Sequence, residues 1–307
     1  MISLRDLFSR GGRTQKPAAC ADAGLGTLLA KSEPAGGASP PWEGSRRWPA
    51  VRLGLAEQLW GEGFVMPGGG AEVLRLALPI GLSEASSLLL LGAGAGGPPR
   101  VLATELGVWV SAYESDRALA ALAAHRIRRG TAVVAKHCAV DAWTPAAPQF
   151  TARAFHHAIA CDAVHESPPA VLAALREAIK PGGQLVLQEL VAEAPLDPAE
   201  PAVSEWCRAE DRAPNLPTRS AIATELERLH FDVRVTEDQS ARHIGQVLQG
   251  WQVLIQSLQG AHPSHRYAEA LVDEAELWAR RISLMHAGKI HLVRWHAFAE
   301  APARGRA

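Results

Sequence analysis

The sequence predicts an α/β fold, with a mostly parallel sheet covered by helices on both faces. Three observations carry this expectation. From about residue 88 onward, short apolar runs alternate with helical stretches, the pattern of strands buried between crossover helices. The first run, Leu88 to Leu91, ends in Gly92, Gly94, Gly96 and Gly97 before a helix-like segment. Late in the chain, Lys289 to Phe298 alternates in the manner of one more strand.

The elements follow in order. Met1 to Arg10 carries arginine but no long apolar core, so a secretory signal is not expected. Ile2, Leu4, Leu7 and Phe8 would line one side of a short docking helix or belong to a frayed terminus. Residues 11–49 are rich in Gly, Pro, Ala and Ser and read as a flexible lead-in without a core. A folded domain is expected over 50–300, followed by a tail at 301–307. Its first part, 50–82, holds a helix through Leu53, Leu55, Ala56, Leu59 and Trp60, a glycine-rich loop to Gly70, and a helix near Ala71 to Leu78. Strands are then expected at Leu88–Leu91, Trp109–Tyr113, Ala132–His137, Ala154–Ala160 and Gln184–Leu190. Helices between them lie near Arg100–Leu106, Asp116–Arg129 and Pro169–Ile179. Pro195 to Pro217 is too proline-rich and polar to join the sheet. A helix over Thr218–Leu229, a strand at Phe231–Val235 and two long helices within 240–287 lead to the last strand.

Composition bounds the function. At 307 residues with 48% hydrophobic and 21% charged content, the chain can bury a large core. Its 31 basic and 32 acidic residues give no field to attract nucleic acid or an anionic membrane. No apolar run approaches the roughly 20 residues that span a bilayer. Cys20, Cys138, Cys161 and Cys207 are scattered without a CxxC and read as free thiols of a reducing, cytoplasmic compartment. His262-Pro-Ser-His265 has no carboxylate or cysteine set beside it, and His156-His157 point to opposite faces of a strand, so no metal site is expected.

The glycine loop is the chemical signal. Glycines let the backbone turn sharply and approach a ligand, while the following helix offers free N–H groups and a positive dipole end, with Pro98 and Pro99 suited to its first turn. Gly92, Gly94 and Gly97 fit the GxGxxG of dinucleotide sites, and Gly92, Gly94 and Gly96 fit GxGxG. Either pattern asks for an acid about 20 residues on to accept ribose hydroxyls, and Glu114 stands there, at the end of the second strand. Asp141, in Ala139-Val-Asp-Ala-Trp143, could meet an adenine amino group or sit in a surface turn. Lys180-Pro-Gly-Gly183 makes a tight turn into the next strand, which a dinucleotide fold does not need.

As a set, from Leu88 to Leu190, these residues resemble the class I S-adenosylmethionine (SAM)-dependent methyltransferases. The resemblance implies a Rossmann-like fold with a seven-stranded, mostly parallel sheet and an antiparallel last strand. It implies that Gly92, Gly94 and Gly96 hold the methionine part of SAM, Glu114 the ribose and Asp141 the adenine edge. Ala93, Ser115, Ala142 and Asp162 belong to the same cofactor set. Trp60-Gly-Glu-Gly-Phe-Val-Met-Pro-Gly-Gly69 is similar to the segment before the first strand of phosphoethanolamine-type methyltransferases, where it closes over the donor pocket. That likeness implies an N-terminal helical cap, a helical insertion before the last strand, and pocket roles for Trp60, Phe64, Val65 and Met66. Core packing is the alternative for each.

Methyl transfer from a sulfonium is an in-line displacement, in which the protein aligns the nucleophile and excludes water. A base helps where the acceptor carries a removable proton. His165, just past the fourth strand in Cys161-Asp-Ala-Val-His-Glu-Ser-Pro168, is the candidate, since histidine titrates near neutral pH; a solvated loop histidine is the alternative. Arg212, with Arg208, could bind an anion in the substrate pocket or stand solvated. The chain departs from the family pattern in lacking an acid before Gly92 and in having Phe155-His156-His157. With only Tyr113 and Tyr267, the tyrosine-lined phosphate site cannot be rebuilt, whereas nine tryptophans suit a cationic or flat acceptor. The expected function is transfer of a methyl group to a small molecule, without nucleic acid or membrane partners. The rivals are a catalytically silent SAM-fold binding protein and an NAD-dependent oxidoreductase.

Overall fold

In the computed structural model, which describes residues 44–260 and 263–300, the leucines of the first strand point alternately to two cores. Leu88 and Leu90 of β1 (Ser87–Leu91) enter one, and Leu89 and Leu91 enter the other, because side chains alternate across a strand. Around β1 lies a seven-stranded sheet, the number the family resemblance implies, in the order β3-β2-β1-β4-β5-β7-β6. Its strands are β2 (Trp109–Glu114), β3 (Cys138–Ala142), β4 (Phe155–Cys161), β5 (Ile179–Ala192), β6 (Phe231–Asp238) and β7 (Ile290–Ala299). β3 through β5 pair in parallel, whereas β7 runs antiparallel between β5 and β6.

The helices fall on the two faces. α1 (Ala50–Trp60), α2 (Gly69–Ala77), α3 (Gly97–Leu106) and α4 (Arg117–Arg128) share a core with the two inserted helices, α9 (Ser240–Ser257) and α10 (His265–His286). α6 (Pro168–Ala178) and α8 (Arg219–Arg228) cover the other face through Val171, Leu172, Leu175, Ile222 and Leu226. One helix replaces an expected strand, and another lies in a connection that the sequence reading only places outside the sheet. Ala132–His137, expected as a strand, is a short helix, α5. Thr131 caps it by accepting the Val134 amide, and only Val134 of its two valines is buried, so the run has no two-sided burial to support a strand. The strand begins at Cys138, where buried and exposed residues alternate. The proline-rich connection contains α7 (Pro201–Glu210), which starts on a proline and turns Val203, Trp206 and Cys207 inward.

β1 leads by way of α3 to β2 on one side, and chain order then returns to β4 on its other side. The reversal leaves a crevice beyond the carboxyl ends of β1 and β4, the place where open α/β sheets bind ligands. Gly92 and Asp162 stand at its two lips. Among the described residues, no helix is long and apolar enough to cross a membrane. Residues 1–43 and 301–307, with the readings made for them, and His262 lie outside the described residues.

Candidate active site

The glycine loop is built by close backbone contact. The Gly92 and Ala93 amides both donate to the Tyr113 carbonyl, at 3.0 and 3.2 Å. Gly92 has φ +90°, and a Cβ there would lie 2.6 Å from the Cys161 oxygen, so only glycine fits without strain. The Gly94 amide donates to Glu114 Oε2 at 2.8 Å, and the Asp116 amide donates to Oε1 at 3.1 Å. Burial pushes the Glu114 carboxyl pKa up, while those two amides pull against it. The Ser115 hydroxyl also donates to Oε1, at 3.5 Å, so Oε2 is the oxygen that keeps a lone pair for a further donor.

The start of α3 is already occupied. The Gly63 carbonyl accepts the Ala95 amide at 3.1 Å and the Gly97 amide at 3.0 Å. Gly63 is held in turn, its amide donating to Glu57 Oε1 at 2.9 Å while Arg126 pairs with the same carboxylate. Donors that would cradle a pyrophosphate at a helix N-terminus are therefore taken by the segment before α2.

One cavity of about 120 Å³ runs along the crevice. Gly92, Gly94, Glu114 and Ser115 line one end with Asp116 and Trp143. Asp116 also caps α4 by accepting the Ala118 and Leu119 amides. Trp48 and Arg47, from residues 44–49, close this end, and Ser45 donates to Asp116 Oδ2. Met66 and Val65 also line the cavity, Val65 packing beside Gly94. The far end is walled by Asp162, Gln188 and Glu210, and by Glu72, His243, Trp278 and Arg281 from the surrounding helices.

Several residues singled out in the sequence stand apart from this lining. Trp60 is buried edge-on against Trp278, with ring centroids 5.6 Å apart. Phe64 lines a smaller adjoining hollow. Gly96 caps α3 with φ +99° and faces Ala123, and Ala93 is fully buried. Asp141 and Ala142 are exposed at the end of β3, and Trp143 is the residue of that loop reaching the cavity.

Asp162 is the strained residue of the site, at φ +47°. Its amide donates to the Gln188 carbonyl, and the next two amides, of Ala163 and Val164, donate to Glu189 Oε2 at 3.0 and 2.9 Å. Glu189 is completely buried, and its Oε1 lies 3.3 Å from His165 Nδ1. His165 is thus tied to Glu189, with Asp162 at 3.6 Å, and is not a solvated loop residue. Burial lowers its pKa, but Glu189 and Asp162 outweigh burial and raise it. Arg212 is also not solvated: its side chain is 3% exposed and it donates to Asp162 at 2.6 and 2.9 Å. Burial opposes ionisation of Asp162, but Arg212 and His165 hold its carboxyl well below the usual range. Asp162, His165 and Glu189 could offer three donor atoms, all within 4.8 Å of one another, to a small cation. The Arg212 guanidinium stands against such a charge.

The sequence reading missed Glu72, Glu189, Glu210, His243 and Arg281. Glu72 accepts from Arg75, Arg242 and Gln246. Glu210 accepts from Trp206 and binds Arg281 through both oxygens, at 2.6 and 2.7 Å. His243 had a legible signal, because it continues the apolar stripe of Val247, Trp251 and Leu254 along α9.

Comparison with known proteins agrees with this geometry. No family model matches the chain. Phosphoethanolamine N-methyltransferase 2 of Caenorhabditis elegans is 27% identical over 134 residues, which is 43% of this chain and 30% of that protein. This chain thus spans under a third of that relative's length. The solved Haemonchus contortus phosphoethanolamine N-methyltransferase 2, with phosphomonomethylethanolamine and S-adenosylhomocysteine (SAH), superposes with TM-score 0.71 at 17% identity, over 81% of this chain and 57% of that one. A putative sarcosine dimethylglycine methyltransferase from Galdieria sulphuraria superposes with TM-score 0.62 at 14% identity, over 75% and 85% of the two chains. The switch-point crevice, the antiparallel seventh strand and these superpositions together show that the chain has the fold of the class I SAM-dependent methyltransferases.

Proposed function

We propose that this protein is a SAM-dependent methyltransferase that transfers a methyl group to a small-molecule acceptor by in-line displacement. The observation that carries the reading is the pairing of Gly94 with Glu114 at the switch-point crevice. It combines bare backbone with a buried carboxylate whose Oε2 retains a free lone pair. A Cβ at Gly92 would lie 2.6 Å from the Cys161 oxygen, so this lip of the crevice is bare backbone, which suits close approach of a nucleoside. Gly92 and Gly94 would hold the methionine part and Glu114 the ribose, with Ser115 and Trp143 near the base and Met66 lining the same cavity. SAM supplies a methyl group already activated on a sulfonium. This chain supplies alignment and exclusion of water, with the far end of the cavity, beyond Asp162, as the acceptor compartment. The relatives named for phosphoethanolamine and sarcosine dimethylglycine support a small acceptor.

The dinucleotide alternative is disfavoured by geometry, because Gly63 occupies the Ala95 and Gly97 amides that a pyrophosphate needs. Binding without transfer is favoured by one observation: His165 is engaged by Glu189 and is not part of the cavity lining.

Calorimetry with SAH tests the reading. Wild type binds SAH, and Glu114→Ala binds at least about tenfold more weakly, the loss of one charge-assisted hydrogen bond or more. Stabilisation by NADH and not by SAH would reverse the assignment. Transfer of label from SAM to a small-molecule product separates an enzyme from a binding protein.

A further inference from the structure

We propose that the acceptor compartment takes an uncharged molecule bearing a hydroxyl or N–H group, and that His243 is the side chain that receives it. The inference rests on the methyl-transfer reading and names the substrate class of the same site.

The charged groups at this end of the cavity are already matched. Arg281 gives both arms of its guanidinium to Glu210, at 2.6 and 2.7 Å. Glu274 accepts from Arg52 at 2.8 Å and from Trp278 Nε1 at 3.0 Å. Arg212, behind the wall, holds Asp162. An entering phosphate would have to pull a guanidinium off a buried carboxylate and leave that carboxylate unpaired, which is strongly unfavourable. The two guanidiniums on Glu72, from Arg75 and Arg242, also lie outside the lining.

His243 is different. It is 5% exposed, it lines the cavity, and its Nε2 has no hydrogen-bond partner. Its ring packs at 54° to that of Trp278, with centroids 5.8 Å apart. The charges facing it come from every side: Arg281 on α10, Glu210 on α7, Asp162 after β4 and Glu72 on α2. Burial, with Arg281 acting in the same direction, brings its pKa down to about 3, against the opposing pull of the three carboxylates. The imidazole is neutral at physiological pH, with one ring nitrogen carrying a proton and the other a lone pair. A buried polar atom of this kind is costly unless something bonds to it. A hydroxyl or N–H on an uncharged acceptor supplies that bond without bringing a charge into the compartment.

The test uses full-length protein loaded with SAH and three probes, namely phenol, indole and phosphoethanolamine, titrated into wild type, His243→Phe and His243→Gln. Phenol or indole binds wild type more tightly than phosphoethanolamine does. His243→Phe binds the uncharged probes about tenfold more weakly, the equivalent of one lost hydrogen bond, while His243→Gln stays within about threefold because it keeps a polar partner. SAH affinity is the same in all three proteins, which also shows that the variants are folded. Tighter binding of phosphoethanolamine than of both other probes overturns the proposal. So does undiminished binding in His243→Phe, and so does failure of both uncharged probes to bind wild type. Failure of wild type to bind SAH is read in its own titration and sinks the underlying methyl-donor reading instead.

Discussion

Gly63 and Gly97 meet backbone to backbone, the Gly63 carbonyl accepting the Gly97 amide at 3.0 Å. A Cβ on Gly63 would lie 2.4 Å from that amide nitrogen, and Gly63 has φ +84°. The contact joins the segment before α2 to the glycine loop beside the switch-point crevice.

Gly63→Ala therefore breaks this joint. Left-handed strain and the steric clash cost about 1–3 kcal/mol, read as a fall in the thermal midpoint, and SAH binding weakens in parallel. Gly54, inside α1 with open space around it, is the control. Gly54→Ala raises stability by about 0.5–1 kcal/mol and leaves SAH binding unchanged.

Glu72 sets an acid limit on stability. Burial alone would raise its pKa, but Arg75, Arg242 and Gln246 outweigh burial and bring it from 4.5 to about 2. A depressed carboxylate stabilises the fold above its unfolded pKa, and that contribution disappears as pH falls through the folded value. Wild type thus loses about 3 kcal/mol between pH 4.5 and pH 2 from this group. In Glu72→Gln this part of the acid dependence is absent, as urea unfolding at a series of pH values would show.

Arg212 is the keystone of a buried ion network. Arg212→Met leaves Asp162 without its guanidinium and costs about 3–5 kcal/mol in denaturant unfolding. Adding Asp162→Asn to that variant recovers part of the loss, because the uncompensated charge is removed. Simple additivity of the two changes would show that the residues do not act as a pair.

Cys161 lines the cavity, yet burial, with Glu189, Glu72 and Asp162 nearby, pushes its thiol up to about 12. Burial alone pushes Cys138 up to about 12. Since the thiolate is the reactive form, iodoacetamide at pH 8 leaves both unlabelled in the native protein. Peptide mapping by mass spectrometry reads the result, and rapid labelling of Cys161 would contradict its placement.

Much of the fold was legible because each strand advertises itself locally. Leu88 to Leu91 needs nothing beyond its own apolar run and the glycines that follow. Ala132–His137 misled because two adjacent valines favour a strand, whereas the Thr131 cap and the exposure of Val133 decide for a helix. At the site, Gly94 and Glu114 could be matched by spacing. Arg212 could not, because its partner Asp162 lies 50 residues earlier in the chain, and its burial depends on where α7 places it. His243 was written as a polar residue within an apolar helical stripe, a pattern whose meaning appears only when a cavity opens opposite it.

β7 is the last of the seven strands in chain order, yet it lies inside the sheet, hydrogen-bonded to β5 on one side and β6 on the other. During synthesis, both neighbours must wait with open edges until residues 290–299 emerge from the ribosome. Exposed edges of this kind invite pairing with other chains. A ribosome stalled before Ile290 would release a product that lacks the strand joining β6 to the rest of the sheet and is prone to self-association.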